Sequence, residues 1–215
     1  MIDPQEVALR VQQIRTEVAR EGSSQVAIIA VTKTFGHDAI SAAVSAQCDA
    51  IGENYAQEVL AKVAEAPIGL PVHFIGAIQS NKVRQLAPHI SLWQGVDRGS
   101  VISEIGKRAP GAEILLQVNT TNEESKSGVP PREVESLLAA GRDAGLVVRG
   151  LMTIGPTSGD MAEVEKAFLS LRSLADSLHL PECSMGMSDD YRMAVACGST
   201  MIRIGSRLFG PRTPH

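Results

Sequence analysis

Gln25-Val-Ala-Ile-Ile-Ala-Val31, followed at once by Thr32-Lys33-Thr34-Phe35-Gly36, decides how this chain reads. After Gln25 the six residues to Val31 are apolar and largely β-branched, with no polar alternation. That is the pattern of a strand buried on both faces, as in a parallel sheet. Gly36 then ends the run. A lysine at the tip of such a strand is costly unless its charge is used or removed.

Runs of the same kind follow at a regular spacing. Counting the first at 26–31, they fall at 49–52, 72–76, 91–96, 113–119, 147–152, 182–185 and 201–204. Helical patterns lie between them. Val134, Leu137 and Leu138 share a face after Pro131. Met161, Val164, Phe168, Leu171, Leu174 and Leu178 share another after Asp160. Shorter helix-compatible stretches occur at 80–87 and 187–196. Ahead of the first strand, Val7, Val11, Ile14 and Val18 form one helical stripe that Gly22 closes. Eight strand–helix units imply an α/β fold with a parallel sheet that closes into a (β/α)8 TIM barrel, here with an extra N-terminal helix. The expected organisation is one domain over 1–215, near the short end for this fold.

Composition narrows the function classes. A formal net charge of -4 and a pI near 5.7 give no electrostatic footprint for nucleic acid or an anionic membrane. No apolar run approaches the roughly 18 residues of a spanning helix. The N-terminus, Met1-Ile-Asp-Pro-Gln-Glu6, does not read as a signal peptide. Cys48, Cys183 and Cys197 are odd in number and far apart, as expected of reduced cytoplasmic thiols. No His/Cys cluster has ligand spacing, so no metal is expected.

Polar or glycine-rich motifs gather where the strand runs stop: Lys33, Gly52-Glu-Asn-Tyr55, Gly76 with Gln79-Ser-Asn-Lys82, Asn119, Met152-Thr153, Ser184-Met-Gly186 and Arg203-Ile-Gly-Ser206. In a (β/α)8 barrel that end carries the active site. Lys33 alone reads as a solvated strand-end lysine or as a nucleophilic amine. Closing the barrel makes the first and last strands neighbours, so Lys33 and Arg203 can face one site. Gly205-Ser206 is either a plain turn or a loop whose backbone N–H groups hold phosphate at a helix start, with Ser184 placed to add a hydroxyl. Arg203 is a structural arginine paired with a carboxylate, or a permanent donor to a ligand.

Asn54 and Asn81 are polar liners, although Glu53 and Asn54 equally suit helix capping. His73 reads as a hydrogen-bonded core histidine. Asp189 and Asp190 read as helix caps. Lys126 reads as a solvated loop residue within reach of the mouth. An amine and a phosphate loop at one barrel mouth match a cofactor carrying an aldehyde and a phosphate, and pyridoxal 5′-phosphate (PLP) has both. A cofactor-free Schiff-base aldolase also accounts for Lys33, but uses Gly205-Ser206 only with a phosphorylated substrate.

The motifs Ala30-Val-Thr-Lys-Thr34, Ile51-Gly-Glu-Asn-Tyr55, His73-Phe-Ile-Gly76, Lys126-Ser-Gly128, Gly150-Leu-Met152, Ser184-Met-Gly-Met-Ser-Asp-Asp190 and Gly198-Ser-Thr-Met-Ile-Arg-Ile-Gly205 occur in order. Together they resemble the YggS/PROSC family of PLP homeostasis proteins. The resemblance implies a barrel similar to the N-terminal domain of alanine racemase. It implies PLP carried on Lys33 as an internal aldimine, Arg203 facing the pyridine nitrogen, and Ser184, Gly205 and Ser206 holding phosphate; Asn54, Asn81 and Met152 are expected to line the same pocket. The role it implies is a PLP carrier without robust turnover; a cytoplasmic monomer, serving PLP-dependent apoenzymes, is the expected setting. A weak amino-acid racemase is the alternative, because Tyr55 follows a strand end. Two departures stand out. Phe35-Gly36 replaces a proline-containing turn, and the C-terminal Pro211-Arg-Thr-Pro-His215 lacks lysines that some members carry.

Overall fold

Each of the eight apolar runs forms a strand: β1 (Ala27–Val31), β2 (Ala50–Glu53), β3 (Val72–Phe74), β4 (Leu92–Val96), β5 (Glu113–Gln117), β6 (Val147–Met152), β7 (Glu182–Ser184) and β8 (Met201–Ile204). A computed structural model describes residues 2–21, 25–121, 123 and 125–211. In it the strands, paired parallel throughout, close into one barrel in sequence order. The helices are α1 (Pro4–Arg20), α2 (His37–Ser45), α3 (Ala56–Glu65), α4 (Ser80–Leu86), α5 (Gly99–Arg108), α6 (Val134–Asp143), α7 (Met161–Ser177), α8 (Tyr191–Ala196) and α9 (Ser206–Phe209). The expected TIM barrel with an extra leading helix is the fold observed.

Alternation along each strand divides the core in two. Ile28 and Ala30 face outward into a cluster with Val7, Val11 and Ile14 of α1 and Ile40 of α2. Leu92, Leu115 and Met152 pack with Met201 as a layer supplied by four strands. The closing pair sets Ile29 opposite Arg203 and Ala30 opposite Ile204. Lys33 stands two and four positions beyond Val31 and Ile29, so it inherits their face.

Asp3 caps α1, its carboxylate accepting from Gln5 N at 2.9 Å, and Pro4 occupies the first turn, where a missing N–H costs nothing. Glu17 then ties α1 to the last elements. It accepts from the Tyr191 hydroxyl and, at 3.2 Å, from Arg207, whose guanidinium lies 5.2 Å from the Tyr191 ring centre. Burial and this carboxylate push Tyr191 up to about 12. Gly22 and the tail at 212–215 lie outside the described residues.

The three cysteines are buried and not in disulfides. Burial pushes the Cys48 thiol up to about 12 and Cys183 to about 11, which keeps both protonated and poorly nucleophilic. Among the described residues no His/Cys/Asp/Glu group could hold a metal, and no helix is long and apolar enough to cross a membrane.

Candidate functional site

A cavity of about 230 Å³ opens at the C-terminal ends of the strands. Lys33, Asn54, Met152, Arg203, Gly205 and Ser206, all singled out from the sequence, line it. Val31, Ile75 and Ile154 add apolar wall, and Met187, Ser188 and Asp189 complete the rim. The two remaining candidates sit elsewhere. Ser184 is fully buried outside the lining set. Asn81 is exposed on the first turn of α4 and is not among the lining residues.

Ser184 acts on the cavity through Arg203. Arg203 is 4% exposed; its Nη1 donates to Ser184 Oγ at 2.7 Å and its Nη2 to the Thr153 carbonyl at 2.8 Å. Ser184 in turn donates to Gln94 Oε1 at 2.6 Å, and Gln94 Nε2 meets His73 Nδ1 at 2.9 Å. Guanidinium has donors only. It therefore obliges the serine to donate onward, which turns the glutamine amide toward His73 and requires a bare lone pair on Nδ1. The run is satisfied in one direction only, with His73 neutral. No carboxylate lies within ion-pair distance of Arg203 among the described residues. Burial lowers its pKa to about 10, against the opposing pull of Asp190, so it stays charged at neutral pH.

His73 is hydrogen-bonded as expected from the sequence, though partly and not fully buried, and it has a measurable consequence. Burial pulls it from an ordinary 6.5 down to about 4. Between those values the unfolded chain binds the extra proton. Stability is therefore complete above pH 6.5 and falls as the pH drops toward 4, by up to about 3 kcal/mol from this group. Urea unfolding across that window checks it: His73→Gln is expected to remove this part of the slope.

The turn that carries Lys33 is held from outside the barrel. Phe35 N donates to Thr32 O at 3.1 Å, which closes a turn with Thr34 at its third position. Thr34 has φ 66, a left-handed conformation where glycine or asparagine is usual. For a β-branched residue this costs about 1–2 kcal/mol. Glu58 Oε2 accepts from Thr34 N at 2.8 Å. Lys62 Nζ donates to Thr32 O at 2.7 Å and pairs with Glu53 Oε1 at 2.6 Å. Thr32 Oγ1 donates to the same carboxylate oxygen at 2.5 Å. Glu53 is thus neither a cap nor a liner. It points outward from β2, fully buried, and burial raises its pKa against the pull of Lys62.

One expected helix starts later than its sequence suggests. The stretch 187–190 stays a turn because Asp190 Oδ1 accepts from Met187 N at 2.5 Å instead of capping a helix N–H. Gly186, at φ 95, allows the bend, and a Cβ there would lie 2.5 Å from that of Ala194. The turn brings Met187, Ser188 and Asp189 to the cavity, although the sequence suggested only caps at Asp189 and Asp190. Lys126 is not simply solvated: it pairs with Glu123 at 2.7 Å and donates to Gly155 O at 2.5 Å. With Thr157 also donating to Glu123, this joins two loops and holds that carboxyl down near 2.

A comparison with protein-family models finds no match. A pyridoxal phosphate homeostasis protein of Pasteurella multocida is 38% identical over 215 residues, covering 93% of this chain and 92% of its own. This chain belongs to the pyridoxal phosphate homeostasis protein family. PipY of Synechococcus elongatus PCC7942, a structure with PLP bound, superposes with TM-score 0.82 at 32% identity, covering 95% of this chain and 100% of PipY. Alanine racemase from Corynebacterium glutamicum superposes with TM-score 0.79 at 15% identity over 63% of its length, which establishes a common fold.

Neither tyrosine of this pyridoxal phosphate homeostasis family member lines the Lys33 cavity. Tyr55 is 51% exposed and borders a separate mouth cavity of about 260 Å³, while Tyr191 is engaged with Glu17.

Proposed function

We propose that this chain binds PLP in the strand-end cavity, covalently through Lys33, and serves PLP homeostasis in the cytoplasm as a single-domain, monomeric carrier without robust turnover. The observation that carries this is the convergence of Lys33, Arg203 and Gly205-Ser206 on one cavity from opposite ends of the sequence. The residues fit the cofactor on a second observation as well. Asn54 Oδ1 is buried in the cavity wall with no hydrogen-bond partner, and PLP carries a hydroxyl donor of the kind such an acceptor requires.

PLP, when bound, supplies an aldehyde for an amine to capture and a ring able to withdraw electrons. Lys33 offers the amine. The Gly205-Ser206 turn offers backbone N–H groups and a hydroxyl for phosphate. The short α9 contributes little dipole, so the local donors carry that role. Arg203, held by Ser184 and Thr153, donates to the pyridine nitrogen yet keeps its proton. Met152, Val31 and Ile75 exclude water from the ring. An arginine in that position leaves the ring nitrogen unprotonated, which suits storage better than carbanion chemistry. Two-base racemisation needs an acid or base on each substrate face, and the placement of Tyr55 and Tyr191 supports the carrier reading. PLP-dependent apoenzymes are the partners that the reading implies.

Absorbance before and after borohydride tests it. The expected protein is yellow and yields pyridoxyl phosphate fixed on Lys33. A colourless protein that takes up no added PLP would sink the reading. Racemisation of alanine or serine at ordinary enzymatic rates would overturn its carrier half.

A further inference from the structure

We propose that Glu58, Lys62 and Glu53 form a positioning cluster that locks the Thr32–Phe35 turn and so aims Lys33 into the cavity. The inference rests on the reading of Lys33 as the PLP-bearing residue. It starts from a mismatch. A threonine occupies the left-handed position, φ 66, immediately after Lys33. Such a conformation persists only where the surroundings over-determine it.

The surroundings do so from three sides. Glu58 accepts the Thr34 N–H, Lys62 Nζ grips the Thr32 carbonyl, and Glu53 takes both the Thr32 hydroxyl and the Lys62 ammonium. His37 on α2 is tied in through its ring nitrogen and the Lys62 carbonyl at 2.9 Å. The pair itself is deeply buried, with side-chain exposures of 7% for Lys62 and 0% for Glu53. A buried ion pair contributes little net stability relative to a well-packed apolar pair. Its distinctive service here is geometric, since it holds the backbone on both sides of Lys33. None of the three residues lines the cavity, so the cluster acts through the turn and not on the ligand.

The test is PLP titration of the apo protein by absorbance, with amide hydrogen exchange at Phe35 as a readout that does not need PLP. Glu58→Ala is expected to raise the PLP dissociation constant about tenfold, equivalent to about 1.4 kcal/mol, and to speed Phe35 exchange by a similar factor. Glu58→Gln keeps an acceptor oxygen and stays within about twofold of wild type. Adding Thr34→Gly to Glu58→Ala recovers most of both losses, because glycine adopts the turn without strain. A purely structural defect would not be rescued by a glycine. The Glu53→Gln/Lys62→Met pair, which removes both buried charges together, carries the same tenfold expectation and stands in if Glu58→Ala does not fold.

Wild-type affinity and exchange in Glu58→Ala, or a loss that Thr34→Gly leaves untouched, overturns the inference. A wild type that takes up no PLP but keeps the exchange pattern overturns the PLP reading alone and upholds the locked turn.

Discussion

Lys33→Ala is expected to abolish the borohydride-fixed adduct completely and to weaken PLP retention by at least about 100-fold, or roughly 3 kcal/mol. In the proposed reading the covalent link depends on one amine, and among the described residues no other lysine borders this cavity. The barrel is expected to survive, because Lys33 is half-buried beyond the end of β1 and outside the core clusters. Residual binding through the Gly205-Ser206 turn and Arg203 is expected to remain, giving a protein that holds PLP reversibly and loses it on gel filtration. Tryptic mapping after reduction reads the first effect, and equilibrium dialysis reads the second. An adduct that persists on another lysine would overturn the assignment.

Gly205→Asp is the second large effect. Gly205 is buried in the cavity wall, so the substitution brings a carboxylate to the proposed phosphate loop. A carboxylate about 4 Å from a bound phosphate is repelled by roughly 4 kcal/mol at an effective dielectric near 20. PLP affinity is therefore expected to fall by 100-fold or more while far-UV circular dichroism stays unchanged. Inorganic phosphate, as a competitor of PLP in the wild type, is expected to lose its effect in this variant. Wild-type PLP affinity in Gly205→Asp would remove the turn from the phosphate-binding role.

Much of the frame was legible because barrel strands are short and buried on both faces. Ala27–Val31 announces itself as an uninterrupted apolar run, and every expected run overlaps the observed strand, β2 alone extending one residue past its expected end, to Glu53. Closure then brought Lys33 and Arg203 together by topology alone. What stayed hidden depends on direction and on local competition. Glu53 follows Gly52 at a strand end, where a cap, a liner and an outward buried partner look alike. Strand parity with the inward Gly52, together with the Glu58–Lys62 spacing on α3, was the available signal. Met187-Ser-Asp-Asp190 has the composition of a helix start, but the Asp190 carboxylate satisfies Met187 N and keeps the stretch a turn. Ser184 lay at the right strand end. Only the packing revealed that its hydroxyl is committed to Gln94 and Arg203.

The β1–β8 seam also imposes an order in time. Lys33 and Arg203 are separated by about 170 positions, which takes a ribosome roughly 10 to 30 seconds to translate. Throughout that interval the nascent chain carries the amine without its neighbouring wall, because the strand that completes the circle is made last. On the proposed reading, selective capture of PLP therefore has to wait for the final strand to leave the exit tunnel and dock. Prematurely terminated chains lacking that strand would then be invisible to the cofactor, and vitamin supply would act on finished molecules alone.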